Sequence, residues 1–166
     1  MSNVWFCSDL HFGHQNIHKF RVEFESEEAN REFIKSSWRD CVTKRDIVYV
    51  LGDACFSMDT VTNFSELPGG KILVRGNHDL LDTQVYLKYF SGVYGILKYK
   101  EFWLSHAPIH PEELRGKINL HGHVHNATIK DNRYLNCCPE NLVPLVGRPL
   151  ISLSEIRKHY SENCIG

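Results

Sequence analysis

The chain has 166 residues, so one domain is the expectation, and burial of roughly 70% of the unfolded surface supports a core without staples. Nineteen Lys and Arg against 20 Asp and Glu leave a formal charge of −1, which excludes bulk-electrostatic binding of nucleic acid or membrane but not a nucleic-acid substrate held locally. With 42% apolar and 23% charged residues, disordered and collagen-like classes drop out, and the unusual number is ten histidines, residues that serve both as metal ligands and as acids or bases near neutral pH.

Residues 4–8 (VWFCS) form a short apolar run ending at Asp9, as a buried strand would. Over 27–42, Ala29, Phe33, Ile34, Trp38, Cys41 and Val42 share one helical face, with Ser26 placed to cap it. A second strand, 47–51 (IVYVL), ends at Gly52-Asp53. A weaker helix over 59–67 stops at Pro68-Gly69-Gly70. A third strand, 71–75 (KILVR), leads into Gly76-Asn77-His78-Asp79, and 82–90 reads as another helix. Residues 93–99 and 102–105 suggest a hairpin turning near Lys100-Glu101. Further strands are expected at 117–120 and 133–137, and Ser152 or Ser154 starts a last helix of about ten residues. Strands alternating with helices, then a hairpin-rich half, point to a mixed α/β sheet system.

The six cysteines, at 7, 41, 55, 137, 138 and 164, have no C-x-x-C spacing, and the adjacent pair is poorly placed for an ordinary disulfide. No signal peptide and no run of 18 apolar residues is read, so reduced thiols in a cytoplasmic protein are the expectation.

Five polar clusters follow predicted strand ends, where open α/β sheets place their ligands. Asp9-Leu10-His11 puts a carboxylate and an imidazole two residues apart, on one side of an extended segment; alone, the same pattern suits a solvated loop. Gly52-Asp53 offers a carboxylate at a sheet edge or merely a turn. Gly76-Asn77-His78-Asp79 offers a neutral oxygen ligand and a proton donor, whereas a polar turn explains all but the histidine. His106 closes the FWLS run, as ligand or structural residue, and Gly122-His123-Val124-His125 repeats the alternate spacing with two imidazoles.

Taken in order, D-x-H, G-D, G-N-H-D, H and G-H-x-H resemble the calcineurin-like metallophosphoesterase family from Asp9 to His125, and 9–17 (DLHFGHQNI) looks like its small prokaryotic and phage members. The resemblance implies an α/β (α+β) fold: a four-layer αββα sandwich of two mixed β-sheets flanked by helices, one domain over 1–166 without a cap. It implies two divalent ions, one held by Asp9, His11 and His125, the other by Asn77, His106 and His123, with Asp53 bridging, one oxygen to each ion. It implies hydrolysis of phosphate esters by a metal-bridging hydroxide, with His78 as the catalytic acid. Asn77, His78, His14, Asn16 and Arg75 are the expected substrate contacts. Nitrogen and oxygen donors without thiolate suit Mn²⁺, which the resemblance favours, and are compatible with Fe, Zn²⁺ or Ni²⁺.

The sequence departs from the G-D-x-x-D-R-G pattern of the protein-phosphatase branch: Phe56 and Ser57 stand where the second Asp and the Arg would be. What orients His78 is therefore open, since Asp79 is adjacent only in sequence. Either Cys7 or Cys55 lies close enough in sequence to approach the site, or is a small buried hydrophobe. His121 is read as a neighbour of the ligands at best; His18, His110 and His159 are read as surface residues. With little chain left for a cap, the expected groove is open and favours phosphodiesters such as nucleotides, cyclic nucleotides or nucleic-acid ends. A small-molecule phosphomonoesterase and a catalytically inactive docking module are the alternatives; no membrane partner is expected.

Overall fold

The three runs ending at Ser8, Leu51 and Arg75 form β1 (Val4–Cys7), β2 (Ile47–Val50) and β3 (Gly70–Val74), which pair in parallel, Val4 opposite Ile47 and Ile47 opposite Gly70. The computed structural model describes residues 2–163, so the expectation for Cys164 lies outside the described residues. Side chains of each strand alternate between two apolar clusters. Trp5, Cys7, Val48, Val50 and Leu73 face α1 (Glu27–Cys41), meeting Ile34 and Trp38. Phe6, Tyr49 and Val74 face the other way, onto a second sheet. These strands are apolar on both faces because both are covered, as parallel sheets require. Ser26 caps α1 as its sequence indicates, its side chain accepting from Ala29 N–H at 3.1 Å.

The first sheet has the order β4-β3-β2-β1-β9, with β4 (Gly92–Tyr94) parallel to β3 and β9 (Ile151–Ser152) antiparallel to β1. The second is β5 (Ile96–Tyr99), β6 (Phe102–Ser105), β7 (Ile118–His121) and β8 (Tyr134–Asn136), antiparallel at β5–β6 and parallel beyond. Two mixed sheets flanked by helices are thus the expected architecture. Phe102, Leu104, Leu120 and Leu135 supply the second sheet's side of the shared core.

Two expectations need correction. Residues 93–99 are not one hairpin arm: Gly92–Tyr94 pairs with β3 and Ile96–Tyr99 with β6, so the chain changes sheets at Gly95. The helix expected over 59–67 is a turn of α-helix, α2 (Met58–Val61), continued as a 3-10 turn (Thr62–Glu66), and that over 82–90 keeps α geometry only in α3 (Thr83–Tyr86). A further helix, α4 (Pro139–Val146), has no clear sequence pattern because Pro144 interrupts it; α5 (Leu153–Asn163) matches the expected last helix. Leu142 of α4 and Ile156 of α5 are buried in the inter-sheet core.

Candidate metal centre

All five clusters meet at one edge of the two sheets, because they follow the C-terminal ends of β1, β2, β3, β6 and β7. Beyond the strands the first two loops keep running side by side: Asp9 N–H donates to Gly52 O, His11 N–H to Asp53 O and Phe12 N–H to Ala54 O, at 2.9–3.1 Å. Asp9, His11, Asp53, His123 and His125 all have positive φ, between 46° and 71°, a region costly for any residue with a Cβ. Backbone strain of this kind persists only where surroundings over-determine it, and it clusters at functional sites. Gly122 lets the third wall close in: a Cβ there would overlap Ser8 Oγ and Asp9 Oδ2.

Asp9 is fully buried, and its two oxygens differ. Oδ2 accepts from His123 N–H (2.9 Å) and lies 2.5 Å from Ser8 Oγ and 3.1 Å from Cys138 Sγ. Oδ1 has no hydrogen-bond partner, yet it sits 3.5 Å from His11 Nε2 and 3.5 Å from His125 Nε2. Both ring nitrogens of His11 are likewise buried without a partner. Orphaned buried polar atoms carry a penalty of about 1–3 kcal/mol each, so their convergence calls for a ligand. Burial opposes the charge of Asp9, but the nearby His11 and His106 rings, Ser8 and the His123 amide hold its carboxyl well below the usual range. It is therefore an anion at neutral pH.

A second set of donor atoms closes into a triangle. His106 Nε2, Asn77 Oδ1 and His123 Nδ1 are 2.9, 3.0 and 3.2 Å apart. Two ligands of one first-row ion, each about 2.1 Å from it, take a spacing of about 3 Å. His106 Nδ1 lies 2.8 Å from Leu51 O, which acts only as an acceptor, so the proton sits on Nδ1 and the Nε2 lone pair faces the triangle. Asp53 lies between the sets: Oδ2 is 3.8 Å from His11 Nε2 and 3.4 Å from His106 Nε2. Its Oδ1 accepts from His78 N–H at 2.9 Å, so one oxygen faces both sets, where one for each had been expected. All seven expected ligands are gathered here, and the donor chemistry fits two divalent ions.

Several residues at the centre carry no signal in the sequence. Buried Arg21 donates from Nε to Glu140 Oε1 (2.8 Å), from Nη2 to Asp9 O (2.6 Å) and from Nη1 to Asn30 Oδ1 (3.1 Å). Glu140 Oε1 in turn lies 3.1 Å from His125 Nδ1, which turns Nε2 toward Asp9. Burial disfavours a charged Glu140, but His125 and Arg21 more than offset this and hold its pKa at about 2; the same contact with Glu140 raises that of His125. The thiol at the centre is Cys138, not Cys7 or Cys55. Cys55 is buried, its thiol pushed up to about 12 by desolvation and Asp79, and Cys7 belongs to the helix-side core. Burial and the neighbouring Asp9 and Glu140 keep Cys138 protonated.

Asp79 does not orient His78. Its carboxylate accepts from the N–H groups of Asp53, Ala54 and Gly76 at 2.8–2.9 Å, tying the second loop to the third. The His78 ring instead stacks on Phe56, centroids 5.1 Å apart at 28°, with His11 edge-on at 5.8 Å. Phe56, the departure from the phosphatase pattern, thus occupies the place of an orienting partner.

Of the expected substrate contacts, Asn77 and His78 are exposed at the centre and His14 lines the recess beside it. Asn16 is exposed and is not part of that recess. Arg75 borders a second recess, but its guanidinium donates to Asp79 O, Leu81 O and Thr83 Oγ1, so it braces the third loop. His121 is buried, its Nδ1 2.9 Å from Gly122 O; His110 is exposed, while His18 and His159 are half-buried.

Two recesses flank the centre. One of about 320 Å³ opens against His11, His78 and His125, and one of about 360 Å³ against Asn77, His106 and His123. No helix among the described residues is long and apolar enough to cross a membrane.

A family model described as calcineurin-like phosphoesterase matches residues 2–160. The chain is 33% identical over 144 residues to an uncharacterized protein of Methanocaldococcus jannaschii, which covers 82% of this chain and 77% of that one. It is 36% identical over 84 residues to the Gene 66 protein of Mycobacterium phage L5, covering 48% of this chain and 41% of the phage protein. The crystal structure of a protein of unknown function from Aquifex aeolicus matches with a TM-score of 0.75 and 29% identity, over 96% of this chain and all of that one (100%).

Proposed function

The chain belongs to the calcineurin-like phosphoesterase family, and from that premise we propose that it is a single-domain, two-metal hydrolase acting on phosphodiesters in preference to monoesters. The observation that carries the reading is the pair of convergent donor sets with Asp53 Oδ2 between them. Asp9, His11 and His125 would hold one ion; Asn77, His106 and His123 would hold the other. When bound, two divalent cations, Mn²⁺ favoured by the nitrogen and oxygen donors, polarise the phosphoryl oxygens and activate water for in-line attack.

The protein's own groups do the rest. Asp53 keeps its Oδ2 toward both donor sets because Oδ1 is engaged by His78 N–H. His78, exposed and braced by Phe56, gives a proton to the leaving oxygen, a contribution of about 10²–10⁴-fold. Asn77 and His14 contact the phosphate. The diester preference rests on the two recesses, one against each donor set, which offer room for two ester arms.

Hydrolysis of bis-p-nitrophenyl phosphate against p-nitrophenyl phosphate by metal-stripped protein with Mn²⁺ restored tests the reading. Faster turnover of the diester is expected. No turnover of either, with two ions bound, rejects the enzyme; preference for the monoester rejects the diesterase.

A further inference from the structure

The recess of about 320 Å³ beside the first donor set has two chemically distinct ends. At one end are His11, His78 and His125, where the phosphate is proposed to lie. At the other are Ile17 and Phe20, with His14 between the two, its ring 5.7 Å from that of His11 and 6.0 Å from that of Phe20. We propose that this second end is a subsite for the planar base of a nucleotide. The inference rests on the phosphoesterase reading above and identifies one ester arm.

Size and shape come first. A volume of about 320 Å³ falls within the range of small-ligand sites, which are mostly apolar with a few polar groups that set orientation. Phe20 is 69% exposed, an aromatic side chain left in water at the mouth of the recess. Its ring lies perpendicular to that of His14, centroids 6.0 Å apart at 86°, and His14 is itself held by Phe56 at 5.0 Å and 81°. Exposed rings held in place by perpendicular neighbours present free faces, on which a base stacks without regard to its sequence.

Charge narrows the ligand. Among the described residues no Lys or Arg lines this recess, and Glu140, already paired with Arg21 and His125, borders it. A second phosphate or a polyphosphate tail would find no cation there, whereas a neutral base needs none. Asn126, exposed, also lines the recess. A side-chain amide, both donor and acceptor, is a group that reads the edge of a base. A nucleic-acid strand would need a basic track for its backbone, and a recess without cations favours a single nucleotide unit instead.

The test is calorimetric binding to the Mn²⁺-loaded protein. The probes are the methylene-phosphonate analogues of AMP and of ribose 5-phosphate, whose P–C bonds resist hydrolysis, inorganic phosphate, and a 5′-phosphorylated hexanucleotide. The AMP analogue is expected to bind at least tenfold tighter than the ribose analogue. Phe20→Ala should remove that difference, while Val22→Ala, a change at an 83% exposed side chain outside the recess, should preserve it. Equal binding of the two analogues by the unaltered protein overturns the subsite. A preference that survives Phe20→Ala overturns its location. Hexanucleotide binding far tighter than the AMP analogue, and steeply salt-dependent, replaces the nucleotide with a nucleic-acid strand. If inorganic phosphate also fails to bind, the phosphoesterase reading falls first and the subsite with it.

Discussion

Phe56 is in contact with three histidines: it stacks on His78 and approaches His14 and His11 at 5.0 and 5.5 Å. Among the described residues no carboxylate hydrogen-bonds the His78 ring, so aromatic packing sets its direction, an interaction worth about 0.5–1.5 kcal/mol. Phe56→Ala should therefore lower turnover about three- to tenfold with both ions retained, and Phe56→Tyr should restore most of it, as steady-state rates and metal analysis would show. Glu140 offers a test through pH. Its folded pKa of about 2 lies below the ordinary 4.5, so its contribution is present above pH 4.5 and is lost as pH falls toward 2. The expected size is roughly 3 kcal/mol. In metal-stripped protein, the stability gap between the native sequence and Glu140→Gln should narrow across that window in denaturant titrations; a constant gap would rule out the ion pair as its cause.

At the scale of elements, strand period and strand-end chemistry were legible. Residues 4–8, 47–51 and 71–75 are β-branched or aromatic runs bounded by turns, and each became a parallel strand with its cluster at the C-terminal end. The split of 93–99 was not legible, because Val93 and Ile96 are equally good strand residues and only their pairing partners assign them to different sheets. Gly95 and Gly122 look alike in the sequence but differ in space. A Cβ at Gly95 meets nothing within 4 Å, whereas one at Gly122 overlaps the Asp9 carboxylate. Gly95→Ala should change stability by no more than about 0.5 kcal/mol. Gly122→Ala should displace Asp9 and reduce binding at the first metal site by at least tenfold, as equilibrium dialysis with Mn²⁺ would reveal.

For the whole molecule, the donor atoms come from loops after five strands in two sheets, so ions bound there join the sheets and favour the folded state alone. At a hundredfold excess over its Kd each ion adds about 2.7 kcal/mol. Removing both by chelation should lower the unfolding midpoint by about 10–20 °C, and adding Mn²⁺ back should restore it. An unchanged midpoint would mean that the donor sets bind no ion in solution.

The sequence by itself determined the family and the sheet strands that matter and pointed to the seven side chains proposed as donors, because metal chemistry restricts residue type and strand ends restrict position. Tertiary structure alone decided how those donors are held. Arg21, Glu140, Cys138 and Phe56 belong to no motif, and Arg21 and Glu140 meet across 119 residues. Their roles depend on distance and direction in the folded chain, as does the positive φ at Asp9, His11 and Asp53, a region that few residues other than Gly adopt.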